Sequence, residues 1–139
     1  MADLMQAWYY KMTHTSGIQA VMAARIYRDS VPTDAVLPYA VYYRISGVPV
    51  HHQGGASLLE PSRIQVTIRA ATALGVDAAA LAVKAAFEAF RGTMGTGTTA
   101  VTVQRITLEN EMTEYSMPEA GAEGGTFGVI HDYRIWHNQ

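Results

Sequence analysis

The sequence predicts one α+β domain spanning residues 1–139, an antiparallel sheet of about four strands with one long helix packed on a face and short helices at the N-terminus. Three observations carry this. Residues 39–46 and 63–70 alternate apolar and polar side chains with a period of two and are rich in β-branched or aromatic types. An alanine-rich stretch, 77–90, places Val83, Phe87 and Phe90 on one helical face. The order helix, helix, strand, strand, helix, strand, strand interleaves two classes of element without the regular βαβ alternation of a parallel fold.

At the N-terminus, Leu4, Met5, Trp8, Tyr9 and Met12 recur at helical spacing behind Asp3, which predicts an amphipathic helix over about 3–12. Ile18, Val21 and Met22 predict a second short helix after Ser16. Arg25-Ile26-Tyr27 reads as a brief extended piece, and the turn chemistry of 31–34 follows it, with Pro32 forcing its predecessor out of the helical region.

In the strand 38–46, Tyr39, Val41, Tyr43 and Ile45 alternate with Ala40, Tyr42, Arg44 and Ser46. The segment 47–62, with Pro49, Gly54, Gly55 and Pro61, is an extended arm joining it to the strand 63–70. Asp77 is the expected N-cap of the long helix and Gly92 its stop. Residues 92–99 read as a loop. In the next strand Val101 and Val103 are out of phase with Ile106 and Leu108, so a β-bulge is expected at Gln104-Arg105. A second polar loop, 109–126, leads to a closing strand in which Phe127, Val129, His131, Tyr133 and Ile135 alternate.

With 49% hydrophobic and 16% charged residues the composition is globular. Ten Lys and Arg against twelve Asp and Glu give a formal charge of -2, which argues against general coating of nucleic acid or binding to anionic membranes. The absence of cysteine removes disulfides, thiolate nucleophiles and Cys-type zinc sites. The start of the chain lacks the basic leader and apolar run of a secretory signal, and the most apolar stretch is too short for a membrane span, so a cytoplasmic chain with no membrane partner is expected.

Residues able to carry chemistry are few. His51 and His52 are adjacent, so in an extended arm they point to opposite sides and cannot easily share an ion. His131 and His137 lie about 20 Å apart along a strand. The histidines therefore read as surface or interface polarity, with His131 beside Asp132 as the sharper, enzymatic alternative. The glycines at 92, 95 and 97 lack the strand-before, helix-after context of a phosphate loop, and Ser57 lacks that of a nucleophile elbow. No cofactor or metal is expected.

Charge is distributed more tellingly. Glu109, Glu111, Glu114, Glu119 and Glu123 fall together without an intervening Lys or Arg, as a solvated acidic face. Arg63 and Arg69 project from one face of their strand, with Arg44 on the polar face of its presumed neighbour. This basic stripe can meet the acidic loop of another copy.

Several segments together resemble the tail terminator family of long-tailed phages and gene transfer agents, also called tail-completion or tail-to-head joining proteins. They are Arg25-Ile26-Tyr27 before a proline turn, residues 37–47 (LPYAVYYRISG), the strand 63–70, the Ala-rich helix ending in Phe90-Arg91-Gly92, the Glu-rich stretch, and the closing residues 131–136 (HDYRIW). These span most of the chain in the family's order. Arg69-Ala70 stands where an aromatic residue is expected.

The resemblance implies a non-catalytic virion protein of the tail-neck region, assembled in the host cytoplasm. Its copies would form a ring, by family habit a hexamer, that caps the tail tube and meets the head connector or stopper. DNA would pass through the lumen without specific binding. A head-completion or stopper-type neck protein is the alternative within the same class. On this reading Arg44, His51, His52, Arg63 and Arg69 are subunit-interface candidates. The five glutamates are candidates for the lumen wall, where they would repel the duplex.

Overall fold

Asp3 starts the first helix, its carboxylate accepting the backbone N–H groups of Met5 and Gln6. The computed structural model describes residues 3–47, 51–52, 55–56, 59–116 and 126–138. Among these, α1 (Leu4–His14) and α2 (Ser16–Met22) precede β1 (Ile26–Arg28), β2 (Tyr39–Gly47), β3 (His51–His52), β4 (Gly55–Ala56) and β5 (Leu59–Ala70). After α3 (Ala73–Phe87) come β6 (Gly92–Met94), a 3₁₀ turn at Gly97–Thr99, β7 (Val101–Ser116) and β8 (Thr126–Asn138).

Six strands form one sheet in the order β1-β2-β5-β8-β7-β6, and β3 pairs with β4 apart from it. The sheet is mixed, because β1 joins β2 in parallel while the other pairs are antiparallel. The expectation of about four antiparallel strands is therefore corrected. The two extra strands are three residues each, too short to show a period, and β6 falls in the segment read as a loop.

Ile64, Val66, Ile68 and Ala70 of β5 and Val129, Tyr133 and Ile135 of β8 are buried under the helices. At the centre Trp8 of α1 stacks on Phe87 of α3, with ring centroids 3.8 Å apart, and both rings tilt against Tyr133. Lys11, one turn further on, lies 3.9 Å from the Phe90 ring centroid, and burial lowers its pKa.

Several boundaries differ from expectation. Helix α3 begins four residues before Asp77, capped by the Thr72 hydroxyl accepting from Gly75 N, and it ends at Phe87, with Glu88 as its C-cap before Ala89, whose φ is +62°. The alanines around Asp77 carry no positional signal, so two good caps compete and the earlier one lengthens the helix. The acidic stretch 109–116 is strand, not loop: β7 pairs with β8 as far as Ser116 opposite Thr126, because an apolar partner strand outweighs the weak β-propensity of glutamate. The arm is likewise shorter than 47–62, since β5 begins at Leu59. The expected bulge is present as a register shift between Val103 and Arg105, and a second lies between Leu108 and Asn110.

Strand β2 has the opposite phase to the one its aromatics suggest: Ala40 and Tyr42 are buried, and Tyr39, Val41 and Tyr43 face away from the helices. Both faces of β2 carry large apolar groups, so alternation alone does not choose between them. Tyr42 is held inside by α1, its hydroxyl donating to Met5 O at 3.5 Å, and burial pushes its pKa up to about 12.

Replacing Trp8 by alanine removes the hub of the aromatic cluster. It is expected to lower the unfolding free energy by about 3–5 kcal/mol, measured by denaturant titration.

Candidate functional site

The face of the sheet turned away from the helices is where the sequence-predicted charges gather. Register puts Arg63 opposite Arg134, Gln65 opposite Asp132 and Arg69 opposite Gly128. Glu109, the extra residue at the second bulge of β7, reaches both neighbouring arginines, with Arg134 Nε at 2.8 Å and an Arg63 terminal nitrogen at 3.7 Å. Arg69 meets Glu114 at 2.5 Å, and Gln65 Nε2 donates to Asp132 at 2.9 Å.

The Arg69–Glu114 pair spans β8. It can do so because position 128 is glycine: a Cβ there would stand 2.9 Å from Glu114 Cγ and 3.4 Å from an Arg69 nitrogen. Three arginines thus balance Glu109, Glu114 and Asp132 on one face. These partly exposed pairs contribute about 0–1 kcal/mol each, so they shape the surface more than they hold the fold.

The basic stripe is therefore Arg63, Arg69 and Arg134, and Arg44 is not part of it. Arg44 lies opposite Ile64 on the helix side of β2 and donates to Ser62 Oγ at 2.8 Å. Ser62 is buried and also bonds His137 Nε2 at 2.8 Å. The inverted phase of β2 causes this separation. His51 and His52 form β3, opposite Ala56 and Gly55. Glu119 and Glu123 lie outside the described residues.

Glu111 belongs to the helix side. Its carboxylate lies 2.6 Å from Nε2 of the buried His131, whose Nδ1 bonds the Tyr133 hydroxyl at 2.9 Å. Burial lowers the His131 pKa, and the bond and charge of Glu111 oppose that shift. Burial raises the Tyr133 pKa. Successive residues of a strand point to opposite faces, so Asp132 pairs with Gln65 on the far side, and the structure does not assemble the acid-base pair of His131 with Asp132. Among the described residues no three His, Asp or Glu side chains are placed to hold a metal ion. No described helix is long and apolar enough to cross a membrane.

The sequence reading missed Arg134 and the inward role of Glu111. The β8 alternation does put His131 and Tyr133 in phase with Val129 and Ile135, which is the signal for a polar group inside the core.

A family model described as "Tail completion protein gp17" matches residues 7–138, nearly the whole chain. The chain belongs to this family of phage tail completion proteins. This tail completion protein is accordingly a structural component of a virion, the role that the resemblance implied. Its fold is similar to that of a chain in the structure entitled "Virion of native gene transfer agent (GTA) particle", with a TM-score of 0.74 at 15% identity over 99% of this chain and 96% of that one. No curated protein sequence matches it.

In the tail completion protein the lowered His131 pKa sets the direction of a pH effect. The unfolded chain takes up a proton near the ordinary imidazole value while the folded chain resists it, so stability falls as pH drops through about 6.5. Denaturant titrations from pH 7.5 to 5 are expected to show a steeper loss for the natural chain than for His131→Gln. The difference in slope is bounded at about 1.4 kcal/mol per pH unit.

Proposed function

We propose that this tail completion protein acts by geometry, as a ring of six identical subunits that caps the tail tube and joins it to the head connector or stopper. The family membership over residues 7–138 is the observation that carries the reading. The sheet supplies a physical basis for it. A closed ring repeats one heterologous contact, so each subunit needs two unlike surfaces.

The two edges of the sheet are unlike. Strand β6 covers only Val101–Val103 of β7, and residues 104–116 have no strand partner on that side among the described residues. At the other edge, β1 covers only Ala40–Tyr42 of β2. An open strand of that length is suited to pairing with a neighbouring chain.

The arm carrying His51 and His52 leaves the sheet at the end of β2, close to Arg44 and Arg63, and these residues with Arg69 form the proposed subunit contact. The hairpin end beyond Ser116, with Glu119 and Glu123, faces the lumen on this reading, and Glu109, Glu111 and Glu114 lead up to it. Because Glu109 and Glu114 already pair with arginines, they repel DNA less than their number suggests. The neck position, assembly in the host cytoplasm and passage of DNA without specific binding belong to the same reading.

Electron microscopy of the protein mixed with tail tubes is expected to show one ring at one end of each tube. Replacing residues 48–58 with a short Gly-Ser turn should abolish the rings and leave the circular dichroism spectrum unchanged. Tubes that never acquire a ring, or rings untouched by removal of the arm, would speak against the reading.

A further inference from the structure

Helix α3 is apolar on both sides. Val76, Ala79, Ala80, Val83 and Phe87 pack into the core, as an amphipathic helix requires. The opposite stripe is Leu74, Ala78, Leu81 and Ala85, at i, i+4, i+7 and i+11, where charged residues are the rule. Leu74 is 84% and Leu81 68% exposed, the two most exposed large apolar residues described. One flank of the stripe carries Asp77, Lys84 and Glu88, and on the other Ala82 and Ala86 are partly buried.

We infer that this face is covered by the same face of a second copy, in an antiparallel helix pair related by a twofold axis. The pattern of the stripe argues for this occupant. Read in reverse, Leu-Ala-Leu-Ala becomes Ala-Leu-Ala-Leu, so an antiparallel copy sets Leu74 against Ala85 and Ala78 against Leu81, and the converse. Each large side chain meets a small one.

The charges agree independently. In an antiparallel pair, like flanks face each other. With that register Asp77 of one copy falls two residues, about 3 Å of helix rise, from the level of Lys84 of the other. Two symmetric Asp77–Lys84 pairs result. Lys84 can turn toward them, since its ion pair with Glu88 is long, at 3.9 Å, and both side chains are partly exposed.

A contact between two 15-residue helices is small. It falls below the ~1,000 Å² of a stable interface, so the dimer is reversible, with a dissociation constant in the micromolar range or weaker. A twofold contact also differs from the heterologous contact of a ring. The dimer therefore belongs to the free subunit and does not depend on the ring reading.

Sedimentation velocity of the full chain, from about 1 μM to about 1 mM, tests this. The expected result is a concentration-dependent rise in mass from 15.1 kDa to twice that value. Leu81→Glu and Asp77→Lys should each weaken association at least tenfold, the latter by setting like charges face to face. The double variant Asp77→Lys/Lys84→Asp should restore it to within about threefold. Both changes oppose the helix dipole, so restoration cannot come from a better helix.

All three positions lie on the outer side of α3, and circular dichroism checks that the variants fold. A chain that stays monomeric throughout, or a double variant as weak as Asp77→Lys alone, overturns the inference. A six-membered species indifferent to Leu81→Glu overturns it too, while leaving the ring reading standing.

Discussion

Strand β8 is hydrogen-bonded along nearly its whole length to β5 on one side and β7 on the other, and this double pairing constrains everything else. Once the two registers are set, the faces of all three strands are set together. Ile64, Tyr133 and Leu108 line up on the helix side, as do Val66, His131 and Glu111. A slip of one residue in any of them would turn its apolar set outward and its charges inward, which is why the register is strongly specified.

The same pairing separates two kinds of polar chemistry that are adjacent in the chain. On the helix side, His131 and Tyr133 are buried, and Glu111 is the acid within reach. One residue away, Asp132 joins the balanced charges of the outer face. The result is that two residues adjacent in the chain, His131 and Asp132, serve opposite faces of the sheet.

Much of this was legible in the residues. The period of two in 63–70 and 127–135 marks β5 and β8, and the phase break at Gln104-Arg105 marks the first bulge. The alanine-rich stretch marks α3, and Asp3 the start of α1. What was not legible has physical causes. Three-residue strands such as β1 and β6 are defined by their partners, not by their own pattern. β2 is apolar on both faces, so packing against α1 decides its phase, and that decision moves Arg44 away from Arg63. The glutamates of β7 look like loop residues until the arginines of β5 and β8 are placed beside them, a match between distant segments that local periodicity does not record.

Gly128 illustrates how such a match restricts the sequence. A glycine inside a strand is ordinarily a weak point that substitution can improve. Here the missing side chain is the channel through which an acid and a base reach over the intervening backbone. With both ends of that clasp in place, any side chain at this position has to push the Glu114 side chain aside. The three positions are thus coupled through space, although they are far apart in the chain and only one of them looks dispensable.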